Sequence, residues 1–399
     1  MTAGGRRSTI AGVMGLATET PGDVLDAVNG LTPAIRARAD EIEAARCLPA
    51  DLAEQLRSAG VFRMLTPASH GGGQVGLVRS MEVLEAIAVA DGATGWTTMI
   101  GAESPQLLSL LPRATYEALY AAGPDVTVGG SFVPLGEAHA VEGGYRVHGR
   151  WPFASGCQRW DLLFGNCVVV RDGVPAQRPD GSPATLAMLV DAGQTDIEDT
   201  WRVLGLRGTG SQHFSLAETF VPAERTFDIY FGRPSIDGVS PFPIIDFICH
   251  IGTVAVGIAR AALDEVVDRA GSRVRLNMRA SLADTPVVQH RLGRAEIALR
   301  AARTLLYAEA QRLEHDGYGE DFLALAVRTW ATTAWIAATA RDVVDTCFQV
   351  NGASGIYDGA VLQRMLRDIH TITQHAALND NAITRAGAAL LGRPVDMTF

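Results

Sequence analysis

The sequence predicts an α+β protein that is mainly helical, and three observations carry that prediction. Apolar residues recur at three and four from Val24 to about Arg57 and again from Val78 to Ala90. From Val126 to about Arg225 the chain changes to short runs bounded by Gly, Pro or Asp, which read as strands at regular spacing. Beyond Pro243 the helical period returns and holds for the remainder. The expected order is therefore a flexible tail over 1–22, an N-terminal helical domain over 23–125, a middle β domain over 126–235 and a C-terminal helical bundle over 236–399.

Each element has its own warrant. Ile35, Ala39 and Ile42, then Leu52 and Leu56, mark two helices separated by Pro49, with Asp51 near the start of the second and Gly60 at its end. PASHGGG, 67–73, is a loop. Met81, Leu84, Ile87 and Ala88 form the apolar face of the next helix. The segment 93–111, ATGWTTMIGAESPQLLSLL, is an apolar, buried helix broken near Pro105. Within it Glu103 stands either at an exposed break or facing an internal cavity. After the strands, RGTGS at 207–211 is a turn without the following helix that a phosphate loop requires. Long helices follow over 245–270, 285–316 and 322–350, and a glycine-rich break precedes the final helical segment, 352–392.

Composition narrows the function. With 399 residues the chain exceeds the ~250–300 that one core usually serves, so two or three compact units are expected. A net charge of −10 and a pI near 5.4 argue against a nucleic-acid surface and favour a protein that handles small molecules. Five scattered cysteines without C-x-x-C spacing suggest neither a disulfide framework nor a zinc knuckle, and a reducing cytoplasm is expected, with no metal ligands. The N-terminal apolar run is interrupted by Gly12 and Gly15 and is too short for an export signal or a membrane span.

The most informative stretch is 151–160, WPFASGCQRW, at the end of the strand GGYRVHGR. Trp151 and Phe153 arrive with period two, and Ala154, Ser155 and Gly156 let another group approach the backbone. A flat apolar ligand with polar edges suits that arrangement; an ordinary sheet core ending in a turn suits it too.

Seven ordered segments give the chain a resemblance over essentially its whole length: LRSAGVFRMLTPASHGGG, DGATGW, WPFASG, GLRGTGSQHFSLAETFVP, QHRLGRAEI, QVNGASGIYDG and RMLRDIH. The chain resembles the acyl-CoA dehydrogenase fold superfamily. The resemblance implies N-terminal helices, a middle β-barrel and a C-terminal four-helix bundle that together hold a flavin, in an assembly that is usually a homotetramer. The dehydrogenases use a carboxylate base shortly after an RD pair. Here Arg367 and Asp368 are followed by IHTITQHAALND, with His375 near that place, and between Arg367 and Ile383 the carboxylates are Asp368 and Asp380.

The segment is instead similar to the flavin-dependent monooxygenase branch. That similarity implies the oxygenase component of a two-component enzyme, which receives reduced flavin (FMN or FAD) from a separate reductase, reacts it with O2 to a C4a-hydroperoxyflavin and oxygenates a small aromatic, polyketide, terpenoid or amine substrate. An acyl-CoA dehydrogenase with a displaced base and a non-catalytic flavin- or ligand-binding member are the alternatives. By the same resemblance Ser155 hydrogen-bonds flavin N5, a role in which a hydroxyl donates without adding charge. Trp151, Phe153 and Gly156 shape the isoalloxazine wall, Ser131 faces substrate, Arg275 meets a flavin phosphate, and Gln349, Gly352 and Gly355 meet the cofactor of an adjacent subunit. His375 serves as proton donor or acceptor, its alternative being a capping histidine. Phenol hydroxylases of the branch place a histidine in a G-V-H-P segment where this chain has GAESP, so Glu103 takes a substrate-binding position. A carboxylate there suits a cationic substrate, which makes N-oxygenation of an amine an expectation to test.

Overall fold

The computed structural model describes residues 23–272, 274, 281–316 and 321–395. The first helices are α1 (Val24–Ala37), α2 (Ala39–Ala45) and α3 (Ala50–Ser58), followed by α4 (Leu77–Ala90), α5 (Gly92–Ala102), α6 (Ser104–Leu108) and α7 (Arg113–Tyr120). The Asp23 carboxylate accepts the Leu25 N–H to start α1, and Gly60, at φ +85°, takes the left-handed turn after α3. Asp91 caps α5 by accepting from the Thr94 N–H at 2.8 Å and its hydroxyl at 2.7 Å. Helix α5 is buried along almost its whole length. The break falls at Glu103, where α5 ends and α6 begins with Pro105 in its first turn, a position that needs no N–H.

Eight strands follow: β1 (Val128–Val141), β2 (Gly144–Ala154), β3 (Leu162–Arg171), β4 (Val174–Pro175), β5 (Thr185–Asp191), β6 (Asp196–Glu198), β7 (Gln212–Pro222) and β8 (Thr226–Phe227). They form one sheet in the order β6-β7-β2-β1-β3-β5-β8, with β4 on β3. Strand β1 pairs antiparallel with β2 and parallel with β3. The sheet wraps around Trp151. A Cβ on Gly136, Gly149 or Gly165 would lie 2.1, 2.7 or 2.5 Å from the indole, so three neighbouring strands use glycine to make room for one ring. Its Nε1–H donates to the Asn166 carbonyl at 2.7 Å, and it stacks on Phe214.

The C-terminal helices are α8 (Pro243–Ala270), α9 (Pro286–Asp316), α10 (Phe322–Asn351), α11 (Val361–Ile372) and α12 (Asp380–Leu390). Helix α8 lies at the centre, against α4, α5, α9, α10 and α11. Gly257 admits Ala88 of α4, whose Cβ would lie 2.6 Å from a Cβ on the glycine. By length and hydropathy α8 passes for a membrane span, yet 89% of its most apolar window is buried inside the protein, as a core helix should be. Glu85 of α4 accepts from Arg303 Nε at 2.7 Å and from the Tyr307 hydroxyl at 2.5 Å, tying α4 to α9.

The loop before β7 is fastened to α11. A Cβ on Gly205 would lie 2.1 Å from the Arg367 carbonyl oxygen, and Asp368 accepts the Leu206 N–H at 2.6 Å. Burial, with the nearby Asp91 charge second, pushes the Asp368 carboxyl up to about 7. The GLRGTG and RMLRDIH segments, 162 residues apart at this bond, are thus two halves of one contact.

Candidate active site

A cavity with about 600 Å³ of empty space, part of it open to solvent, lies where α5, α6, the start of β1 and the start of α8 meet. Leu107, Val128, Phe132, Phe164 and Phe247 supply an apolar wall, and Glu103, Ser104 and Ser155 are its polar groups. Ser104 is committed to structure: its hydroxyl donates to the Gly101 carbonyl and accepts the Val128 N–H at 2.7 Å each. The free chemistry resides in Glu103 and Ser155.

Glu103 is buried, which resolves the sequence alternative in favour of the cavity. Its Oε1 meets Nδ1 of His250, a fully buried residue of α8 that the sequence reading did not single out. On the far side, His250 Nε2 lies 2.7 Å from the Ser80 hydroxyl, which donates its own proton to the Leu77 carbonyl at 2.8 Å. Ser80 has one proton and has spent it, so Nε2 must carry the hydrogen of its bond. One further proton then sits between Nδ1 and the carboxylate, whichever atom holds it. Glu103 and His250 together form a net-neutral acid–base pair with one face on the cavity.

Ser155 ends a different chain of hydroxyls. Trp96 Nε1–H donates to Ser155 Oγ at 3.0 Å; Ser155 Oγ is 2.7 Å from Ser211 Oγ; Ser211 Oγ is 2.7 Å from Thr209 Oγ1; and Thr209 donates to the Leu206 carbonyl at 2.9 Å. For all these contacts to be hydrogen bonds, protons run from Ser155 to Ser211 to Thr209. The Ser155 proton is therefore spent, and the hydroxyl offers a lone pair. In that arrangement Ser155 offers an acceptor toward the cavity, where the sequence reading expected a donor.

His375 caps a short 3-10 turn, its Nδ1 accepting the Ala377 N–H at 3.2 Å, so the capping alternative describes one nitrogen. The other nitrogen carries the hydrogen when the ring is neutral. The imidazole meets the Trp96 and Phe247 rings edge-on, with centroids 5.5 and 6.4 Å away. Desolvation draws its pKa down to about 4, so at neutral pH it is an uncharged N–H donor. It touches the cavity wall through Phe247.

Comparison with known proteins assigns the arrangement to a family. Residues 27–111 match the acyl-CoA dehydrogenase N-terminal domain, and residues 249–380 match its C-terminal domain. The indole-3-acetate monooxygenase of Pseudomonas putida is 33% identical over 366 residues, covering 90% of this chain and 91% of the relative. The oxygenase subunit HsaA of Rhodococcus jostii, a flavin-dependent monooxygenase, is 31% identical over 388 residues, covering 93% and 99%. The chain belongs to this family of flavin-dependent monooxygenases with the acyl-CoA dehydrogenase fold. A solved structure agrees: 3-HSA hydroxylase from Rhodococcus sp. RHA1 is 27% identical, covers 95% of this chain and 99% of its own, and superposes with a TM-score of 0.83.

Within this monooxygenase fold the residues expected at the flavin or at the substrate lie in different places. Ser155, Glu103 and Phe153 line the cavity. Trp151 does not: a register shift between Trp151 and Ala154 breaks the period-two pattern, leaving Trp151 in the sheet interior and Phe153 61% exposed at φ +66°. A non-glycine residue in that region is strained, and such strain gathers at ligand sites. The freedom of Gly156, at φ +72°, is used by Trp160, whose ring a Cβ would approach to 2.4 Å. Ser131 is buried with its hydroxyl unpartnered, while its neighbours Gly130 and Phe132 form the cavity wall. Gln349 is exposed, and Gly352, at φ +69°, has open space where a Cβ would be. Arg275 lies outside the described residues.

The cavity also fits a reduced flavin chemically. A reduced isoalloxazine carries N–H at N5, and Ser155 presents an acceptor. His250, Trp96, Ser211 and Phe247 are the site residues that sequence reasoning missed. Two quoted segments contained such a residue without singling it out: DGATGW holds Trp96 and GLRGTGSQHF holds Ser211.

Proposed function

We propose that this oxygenase subunit uses reduced flavin and O2 to oxygenate a small, neutral aromatic or heteroaromatic molecule bearing an N–H or O–H group. The observation that carries the proposal is the Glu103–His250 pair at the end of an apolar cavity. The carboxylate is already balanced by His250, so it does not call for a cationic substrate. That argues against the amine expectation. A neutral pair sharing one proton instead accepts a hydrogen bond from a substrate N–H or O–H, and His250 takes up the charge as that proton moves.

The flavin, when bound, supplies oxygen activation. Ser155 holds its position by accepting an N–H bond, a role that Trp96 secures by fixing the Ser155 oxygen from the other side. Phe153 covers the open edge, and the Phe132, Phe164 and Phe247 rings exclude water from the reacting face. His375 adds an uncharged N–H donor beside Trp96. Glu103 orients substrate and moves its proton.

A separate reductase supplies the reduced flavin, FMN or FAD. A homotetramer completes the site, a reading supported by the exposed side chains of Gln349, Ile356 and Tyr357, the last two 68% and 70% exposed in the single chain. All five cysteines are free, which suits a reducing cytoplasm. The test is stopped-flow oxidation of reduced flavin in air-saturated buffer. The protein should produce an absorbance transient absent from free flavin, and substrates such as indoles or phenols should shorten its life while product forms. Oxidation at the free-flavin rate under saturating protein would overturn the proposal.

A further inference from the structure

The outer face of β1, β2 and β7 carries a cluster that the oxygenase site does not use. Glu137 and His148 are register partners across β1 and β2, and His139 lies two residues along β1, so all three side chains share one face. Oε2 of Glu137 is 3.0 Å from His139 Nε2 and 3.8 Å from His148 Nε2. One ligand atom from each lies within 4.8 Å of the other two. The two imidazole rings stack with centroids 5.5 Å apart. On β7 a register shift opposite Val147 and Gly149, with Glu218 at φ +50°, brings Glu218 Oε1 to 3.4 Å from His148 Nδ1.

We propose that Glu137, His139 and His148 bind a divalent transition metal of the Zn2+ type. A tetrahedral ion with bonds of about 2.0–2.1 Å keeps its ligand atoms roughly 3.3 Å apart. The 3.0 and 3.8 Å separations bracket that spacing, and the two imidazole nitrogens lie within 4.8 Å of each other, so side-chain rotations that draw them together complete the set. Glu218 stands near the second nitrogen of His148, on the side where a metal-bound histidine ordinarily has a carboxylate; the pair is 3.4 Å apart and not hydrogen-bonded, so a small movement of Glu218 on metal binding would let it hold Nδ1–H and present Nε2 to the ion. Two imidazoles and one carboxylate select Zn2+, Ni2+ or Cu2+ over Mg2+ and Ca2+. Three protein ligands leave a fourth position for water.

Arg146, the register partner of His139, is a positive charge beside the cluster. Its guanidinium lies over the Phe220 ring and donates to the Glu218 carbonyl at 3.1 Å. His148 lies five positions along β2 from Phe153, which lines the cavity; at a strand rise of ~3.3 Å per residue that is up to roughly 17 Å. The ion therefore pins β1 to β2, with Glu218 of β7 beside it, and takes no part in oxygen transfer.

The experiment uses the full-length, tag-free protein stripped with a chelator and titrated with ZnCl2 by calorimetry, with Co2+ absorption as a spectroscopic probe. One equivalent per chain is expected, with visible Co2+ bands and a melting temperature raised by excess Zn2+. His139→Ala and His148→Ala should abolish all three signals while leaving oxygenase activity unchanged. Glu218→Gln should weaken binding by about 10–100-fold. Stoichiometric binding that survives in the His139→Ala/His148→Ala double variant, or no stoichiometric binding by the wild type, would overturn the proposal.

Discussion

Two buried carboxylate knots invite comparison: Glu103 with His250, and Asp368 with Asp91. Both sit on or beside α5, and both are hidden from bulk solvent. They differ in partner and in access. Glu103 meets a base and faces a cavity, so a proton can be passed at low cost. Asp368 meets another acid and the Leu206 N–H, so burial holds its own proton on and the group serves as a strut. Burial of a carboxylate therefore does not mark a site. What marks one is a partner that can take its proton and an open face toward a ligand.

Four substitutions or titrations would break or sharpen that contrast. The largest effect is expected for Glu103→Gln, which keeps a hydrogen bond to His250 but removes the shared acid: turnover in the reductase-coupled assay should fall by ~10²-fold or more, with the melting temperature little changed. Next comes Asp368→Ala. Stranding the buried Leu206 N–H should cost about 1–3 kcal/mol in urea unfolding, with Asp368→Asn restoring most of it and activity per folded molecule preserved.

The pH dependence of stability comes third. Asp368 has its folded pKa raised from 3.8 to about 7, so the native state binds the extra proton in that window and stability declines as pH rises through it. His375 acts in the opposite sense. Its pKa falls from 6.5 to about 4, so its contribution is intact above 6.5 and lost as pH falls toward 4. Urea melts of Asp368→Asn and His375→Gln across pH 4–8 should separate the two slopes. Last comes Ser155→Ala, which removes one acceptor for Trp96 at about 1 kcal/mol while shortening the life of the flavin transient.

Much of this was legible in the chain because it is local. The helical period placed α4 and α8, the turn residues placed the strands, and Pro105 announced the break beside Glu103. WPFASG brought Phe153 and Ser155 to the cavity, but period two put Trp151 and Phe153 on one face, and a bulge separated them. His250 was illegible: a histidine inside a long apolar helix has no local signal, and its meaning comes from Glu103, 147 residues earlier. The metal ligands escaped for the same reason, since Glu137 and His148 become neighbours only through strand register.

The sequence by itself determined the element order, the family resemblance and the residue types at the cavity, because periodicity, turn chemistry and ordered segments are properties of neighbours along the chain. Only the tertiary structure decided that Glu103 faces inward, that its charge is answered by His250, and that Ser155 joins Trp96, Ser211 and Thr209 in one chain of polar groups. Those outcomes depend on where single protons go in networks joining α4, α5, α8 and the sheet, and a proton has no place until its partners are in position.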